Sequence, residues 1–319
     1  MAEFQIIKNY FDFEQKLSNS IVKSIGDDCA ILDIPKNKQL VTSTDTLVAG
    51  VHFFDDVSSQ DLAYKALAVN VSDLLAMGAK PLAFTLAITL PEINHDWLRT
   101  FSESLQQAAN DFSINLVGGD TTQGPFSISI TVMGLVKKGK AILRNGAKLG
   151  DDIWVTGSLG SARSALKLHG KSNLNYSEKV LWQALIKPEI PTKFSRKLAK
   201  FATSAIDISD GLLADLGHIM VQSQLGAQLI VEALPLQKSL IDTVGIESAR
   251  QLALAGGDDY QLCFTANRKH RQRVLKHANK TSTQVTRIGK IIEHGYEILL
   301  EGETYPITEN SWQHFKSES

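Results

Sequence analysis

The sequence predicts a mixed α/β (α+β) fold in two domains, and three observations predict it. Strand-like and helix-like patterns alternate along the whole chain. The 319 residues, 43% of them hydrophobic, are enough for two cores. A polar break at Lys137-Lys138-Gly139-Lys140 divides the chain, giving expected domains 1–137 and 138–319.

The elements follow in order. Lys38 to Thr46 reads as a strand ending in the polar cluster Ser43-Thr44-Asp45. Asp61 to Met77 reads as a helix and Ala83 to Leu90 as an apolar strand. Asn94 is placed to cap a helix whose stripe Leu98, Phe101, Leu105, Ala108, Phe112 has core-face spacing. Ile114 to Val117 is a short buried strand, with Gly118-Gly119-Asp120 at its end. From Phe126 to Val136 apolar and hydroxyl residues alternate with period two, as in a half-buried strand. Beyond the break come a strand at Ile153 to Thr156, a helix at Ser161 to Leu168, a helical stretch through Trp182, and a connection marked by Pro188 and Pro191. A helix from Asp210 to Ser223 follows, capped by Ser209 or Asp210. Strands near Leu229, Tyr260 to Thr265, Val285 to Ile291 and Glu297 to Leu300 complete the chain.

Charge and motifs exclude several classes. Lys plus Arg is 33 and Asp plus Glu is 34, so no overall basic excess points to nucleic acid or an anionic membrane. The apolar runs are too short to span a bilayer, and Met1 to Tyr10 has no apolar signal core, so a cytoplasmic setting is expected. Cys29 and Cys263 lie far apart, each beside apolar residues, and read as buried small hydrophobes. There is no P-loop, no protein-kinase catalytic loop, no Gly-x-Ser-x-Gly elbow and no zinc-helix pair.

What stands out is the placing of the aspartates. Asp27 and Asp28 follow Gly26, Asp45 follows Ser43-Thr44, Asp120 follows two glycines, Asp207 and Asp210 bracket Ser209, and Asp258-Asp259 follow Gly256-Gly257. Asp73 shares a helical stripe with Leu62, Ala66, Val69 and Met77, which aims a carboxylate where the apolar face points. A buried carboxylate needs a cation or strong donors, and from the pattern alone metal ligation and a structural role stand about level. Magnesium takes hard oxygen ligands, usually one or two carboxylates together with phosphates and water. Carboxylates from several elements therefore suit metal-assisted phosphoryl transfer, in which positioning and charge neutralisation do most of the work.

Taken together, these segments resemble the thiamine-monophosphate kinase family. The matching pieces are Ile25 to Ala30 (IGDDCA), Thr44 to Val48 with Gly50 to Phe53, Lys65 to Gly78 (KALAVNVSDLLAMG), Val117 to Thr122 (VGGDTT), Ile206 to Leu212 (IDISDGL), Gly256 to Tyr260 (GGDDY), and Trp312 with His314-Phe315. The resemblance implies transfer of the γ-phosphate of ATP to thiamine monophosphate, giving thiamine diphosphate. It also implies an aminoimidazole ribonucleotide synthetase-like fold. The N-terminal domain would bind ATP and metal and build a β-barrel-like homodimer interface, and the C-terminal α+β domain would complete the nucleotide and substrate site.

Carried over by motif, Asp28, Ser43, Thr44, Asp45, Asp73, Asp120, Asp207 and Asp210 surround several magnesium ions, with Asp27 an alternative or additional ligand. Gly119, Asp120, Arg144 and Ser209 meet ATP. His52, Asp258 and Trp312 form the thiamine phosphate site, the indole face suiting a thiazolium cation. A monovalent cation is left open as a further requirement. Two positions depart from the family pattern: Asp258 stands where Glu is usual, one methylene shorter, and Ser311 where Gly commonly precedes the tryptophan. Two rival readings remain, an ATP-using enzyme of the same superfamily that activates an amide or selenide, and a nucleotide or thiamine-phosphate sensor without catalysis.

Overall fold

The computed structural model describes residues 3–13 and 15–309, without the side chains of the first two. The chain divides into two compact units, one running to Leu74 and resuming over Ala79–Ala141, the other formed by Leu75–Gly78 and the chain from Ile142 onward.

In the first unit a short helix α1 (Glu3–Ile6) leads to a hairpin of β1 (Ile21–Lys23) and β2 (Ile31–Leu32). Then come β3 (Lys38–Val48), α2 (Ser59–Ala76), β4 (Lys80–Leu90), α3 (His95–Phe112), β5 (Asn115–Gln123) and β6 (Ser127–Lys137). The four long strands form a sheet in the order β3-β6-β4-β5, antiparallel except for the parallel β4–β5 pair. The alternation read over 126–136 is present in β6: Ile128, Ile130, Val132 and Val136 are buried, and the intervening hydroxyl residues are only half-buried. Asn94 caps α3 as expected, its Oδ1 accepting from the Trp97 N–H at 3.0 Å, and the whole expected stripe of α3 is buried.

Three expectations are corrected, two of them about where strands end. β3 continues past Asp45 to Val48, and β5 runs through Gly118-Gly119-Asp120 to Gln123. The glycines read as a terminator because glycine usually weakens strands. Here β5 passes so close to β4 that a Cβ on Gly119 would be driven into the Leu86 carbonyl. Cys29 is the third correction: it is exposed, because its apolar neighbour Ile31 is itself exposed on the β1–β2 hairpin and no core covers it. Cys263 is buried as expected.

The second unit is built on a seven-stranded sheet. Its elements are β7 (Asp152–Thr156), α4 (Ser161–Ala165), α5 (Tyr176–Ile186), α6 (Thr192–Ser195), β8 (Ala202–Ile208), α7 (Leu212–Ser223), β9 (Gly226–Ile230), α8 (Lys238–Val244), α9 (Ile246–Ala255), β10 (Gln261–Ala266), α10 (Arg271–Thr281), β11 (Val285–Ile292), β12 (Tyr296–Leu300) and β13 (Glu303–Thr304). The strand order is β13-β12-β9-β11-β7-β10-β8. Its core gathers Ile153, Val155, Ile206, Ile208, Leu229 and Cys263 from the strands with Leu212, Leu216 and Ile219 of α7. β7 and β10 are buried along their whole length, as strands covered on both faces must be. Among the described residues no helix is long and apolar enough to cross a membrane.

Candidate functional site

In the first unit, β3 and α2 bring three expected residues together. Ser43 and Asp45 are two apart on one strand and therefore share a face. That face meets α2: the Ser43 hydroxyl donates to the Asp73 carboxylate at 2.5 Å, and the Asp45 N–H donates to Asn70 Oδ1 at 3.0 Å. Asn70, fully buried, is held in turn by donating to the Ala66 carbonyl at 2.9 Å. α2 is buried on nearly every side, so its carboxylate at position 73 is carried on a helix that cannot readily shift.

Thr44 is not brought to this cluster. It lies on the opposite face of β3, bonded through its hydroxyl to that of Thr131 at 2.8 Å. Asp120 is exposed on β5, opposite Ala87 of β4. Asp27 and Asp28 are exposed in the segment before β2, where the Asp28 N–H donates to Asp27 Oδ1 at 3.0 Å. His52 follows β3, and its Nδ1 accepts from the Val48 N–H at 3.0 Å.

Two carboxylates so placed repel each other. Burial first, and then the charge of Asp73, push the Asp45 carboxyl up to about 6 from 3.8. The folded protein therefore holds a proton on Asp45 through a window where the unfolded chain has lost it. Without bound cation, this contribution to stability is present below about pH 4, declines between about pH 4 and 6, and is gone above. The difference is about 1–2 kcal/mol, because partial exposure of the site screens part of the interaction. Asp45→Asn is expected to flatten that part of the profile and to raise the metal-free protein's stability at pH 7. Thermal unfolding from pH 4 to 8 in chelator is the check; an unchanged slope would contradict the assignment.

In the second unit, the segments IDISDGL and GGDDY are joined by their backbones. The N–H groups of Asp258 and Tyr260 donate to the carbonyls of Ser209 and Ile208 at 2.8 and 2.7 Å. Contact is close enough that a Cβ on Gly257 would strike the Ser209 carbonyl. Asp207 is buried at the end of β8, while Ser209, Asp210 and Asp258 are half-buried. Asp258 has a left-handed φ of 72°, uncommon for a residue with a side chain. Arg144 is exposed in a single 3₁₀ turn, its carbonyl accepting from the Ser223 hydroxyl at 2.9 Å. Trp312 lies outside the described residues.

The expected cap of α7 is corrected. Neither Ser209 nor Asp210 caps it; Gly211 occupies that position with no side-chain bond. Instead Asp215, from the first turn of α7, turns one oxygen back to accept from the N–H groups of Ser209, Asp210 and Gly211 at 3.0, 3.1 and 3.2 Å. Burial, and next the Asp210 charge, push this carboxyl up to about 7 against those three donors. Asp259 is a second residue the sequence reading passed over. It is buried, accepts from the Gly160 N–H at 2.8 Å, and is pushed well above the usual carboxylate range, by desolvation first. The signal for Asp215 was available: Leu212, Asp215, Leu216 and Ile219 form the same helical stripe that marked Asp73.

Among the described residues no three His, Cys, Asp or Glu side chains form a ready-made metal cluster. The donors present are carboxylate and hydroxyl oxygens, hard ligands suited to magnesium and not to a thiolate-seeking metal. One or two such groups per ion, with nucleotide phosphate and water filling the remaining positions, is the usual magnesium arrangement. The set fits that metal on its chemistry.

The two units match the two domains of a single class of protein. Residues 26–136 match the family described as AIR synthase related protein, N-terminal domain, and 148–300 its C-terminal domain. Within that class the likeness is narrower. The thiamine-monophosphate kinase of Haemophilus influenzae is 42% identical over 99% of this chain and 98% of its own length. A crystal structure of thiamine-monophosphate kinase from Stenotrophomonas maltophilia K279a superposes with a TM-score of 0.85 at 41% identity, covering 95% of this chain and 96% of that one. A structure of AaThiL complexed with AMPPCP and TMP matches at TM-score 0.78 and 29% identity, over 98% of this chain and 96% of that one. The chain belongs to the thiamine-monophosphate kinase family.

Proposed function

We propose that this protein phosphorylates thiamine monophosphate with ATP by direct in-line transfer. The observation that supports this most is full-length similarity to a kinase of that name together with a family structure holding AMPPCP, an ATP analogue, and TMP. An oxygen of the acceptor phosphate attacks the γ-phosphorus. The new P–O–P bond makes thiamine diphosphate, and the bond to the β,γ-bridging oxygen breaks, releasing ADP. A phosphate monoester has a second pKa near 6, so the acceptor is already mostly a dianion at neutral pH and needs no general base.

Within this reading, Ser43, Asp45, Asp73 and Asp120 of the first unit and Asp207 and Asp210 of the second are magnesium ligands, with Thr44, Asp28 and Asp27 at the margin of the set. Magnesium, when bound, supplies neutralisation of the triphosphate charge. Gly119, Asp120, Arg144 and Ser209 meet ATP, Gly119 and Asp120 from the exposed part of β5. His52, Asp258 and Trp312 receive thiamine monophosphate. A homodimer joined through the outer face of β3 is part of the same proposal. That face leaves Leu40, Thr42, Thr44, Thr46 and Val48 exposed, a mixture of apolar and hydroxyl side chains suited to a partner sheet. The expected setting is the cytoplasm, where ATP and magnesium are supplied.

The test is an assay of the purified protein with ATP, magnesium and either thiamine monophosphate or thiamine. Thiamine diphosphate is expected from the monophosphate alone, with one ADP per turnover. A folded protein that binds magnesium-ATP yet makes no diphosphate would favour the sensor reading. ADP release with a different acceptor would favour another enzyme of the class.

A further inference from the structure

The second unit holds a cavity of about 250 Å³ built from none of the residues discussed above. Five cationic residues border it, all of them exposed: Lys197, Lys200, Arg273, Lys276 and Lys280. They come from a chain whose net charge is −1, and they are segregated: neither stretch 190–206 nor stretch 260–292 contains an Asp or Glu. Arg273, Lys276, His277 and Lys280 recur at i, i+3, i+4 and i+7 and so occupy one face of α10. Lys197 and Lys200 are presented by the turn after α6, in which the Lys200 N–H donates to the Lys197 carbonyl at 2.9 Å.

The two walls are locked together. His277 is buried and stacks on Phe194 of α6 with ring centroids 5.1 Å apart. Its Nε2 sits 2.9 Å from the Phe194 carbonyl, and since a carbonyl only accepts, Nε2 is the protonated nitrogen. Phe201, also buried, forms the floor. The cationic residues therefore border a fixed base.

Other cations nearby do have a counter-charge. Arg271, on the same helix, is bonded to Asp152 through Nε and a terminal nitrogen, both at 2.6 Å, and Arg287 also reaches Asp152 at 3.5 Å. Among the described residues the five cavity cations have no ion pair and no side-chain hydrogen bond. A cationic surface without counter-charge attracts anions.

We propose that this cavity binds a small, multiply phosphorylated anion. Several phosphates on one molecule can answer cations from both walls at once, by charge-assisted hydrogen bonds. The concave shape favours a compact soluble ligand over a lipid surface or an extended polynucleotide, each of which would call for a flatter or longer cationic track. The aromatic floor and the lysine stems leave room for an organic moiety.

The test uses the full chain and inorganic tripolyphosphate, in EDTA and low salt, so that the aspartate-rich motifs have no metal through which to hold phosphate. Acetylation of lysines, read by mass spectrometry, is expected to show protection of Lys197, Lys200, Lys276 and Lys280. Calorimetry is expected to show binding that weakens several-fold when salt rises from about 50 to 300 mM. Arg273→Glu combined with Lys276→Glu is expected to weaken binding about tenfold or more, leaving kinase turnover and melting temperature unchanged. Lys200→Gln with Lys276→Gln gives a milder pair, expected to fall between it and the native chain. No protection at these lysines, or equal binding by the charge-reversed protein, overturns the site. Binding of an RNA oligomer or of phosphatidylserine vesicles without binding of tripolyphosphate overturns it equally.

Discussion

Asp73→Asn is expected to reduce turnover by about 100- to 1,000-fold while leaving the fold intact. The asparagine is the same size, and its Oδ1 can still accept from the Ser43 hydroxyl, now 2.5 Å from the carboxylate. What disappears is the charge. On the proposed mechanism that charge holds magnesium against the triphosphate, and removing one preorganised electrostatic partner of a transition state costs about 2.7–4 kcal/mol. Without metal the same substitution acts in the opposite direction. Asp73 is the charge that helps push Asp45 up to about 6, so its loss lets Asp45 ionise more easily and removes a repulsion from the folded state. Activity should fall, metal-free melting temperature should hold or rise, and the extra stabilisation given by magnesium-ATP should shrink. Steady-state kinetics and two melting curves, with chelator and with magnesium-ATP, measure all three. Turnover within tenfold of the native protein would remove Asp73 from the mechanism.

How far the sequence alone could see is clearest in the two helices that carry buried carboxylates. Asp73 was legible because a charged residue on an apolar stripe is a local contradiction, and such contradictions collect at sites. Asp215 offers the same contradiction on α7 and was hidden by a familiar pattern. Asp207-Ile208-Ser209-Asp210 just before a helix looks like capping sequence, and the short polar residues were credited with a bond that the helix interior supplies. Asp259 was not legible. Which member of an acidic doublet turns inward depends on the left-handed backbone at Asp258, and that depends on how the loop docks beside β8.

The fold was readable wherever one face of an element is buried, as in β6 and α3, because burial writes its period into the sequence. It was not readable where a partner strand decides the outcome. Nothing local tells β5 to run on through two glycines; the parallel neighbour β4 does that by pairing as far as Gln123. Nor could the sequence show the order β13-β12-β9-β11-β7-β10-β8, which joins strands from distant parts of the chain. The cavity cations were visible as a local run but were averaged away in a net charge near zero.

Asp215→Ala is expected to be the most destabilising of the single substitutions considered, by about 3–5 kcal/mol, and to inactivate the protein along with it. One carboxylate oxygen gathers three consecutive backbone N–H groups, those of Ser209, Asp210 and Gly211. Removing the acceptor leaves several donors unsatisfied in a partly buried loop, and each such donor costs about 1–3 kcal/mol when buried. The same loop presents Ser209 and Asp210 and is paired with Asp258, so on the proposed assignment its collapse would disturb nucleotide and substrate contacts together. Asp215→Asn separates geometry from charge. Because all three donors converge on a single oxygen, an amide oxygen in that position can accept all of them, and stability at pH 7 should stay within about 1 kcal/mol of the native protein. The native carboxyl, pushed up to about 7 from 3.8, keeps its proton in the folded state where the unfolded chain has lost it. Its contribution therefore weakens as pH rises from about 4 to 7, and the asparagine variant should lack that decline. Urea unfolding at pH 5 and pH 8 for both variants distinguishes these effects. If Asp215→Ala unfolds within 1 kcal/mol of the native chain, the carboxylate does not hold the loop, and the arrangement of Ser209 and Asp210 must come from their contacts with the GGDDY segment alone.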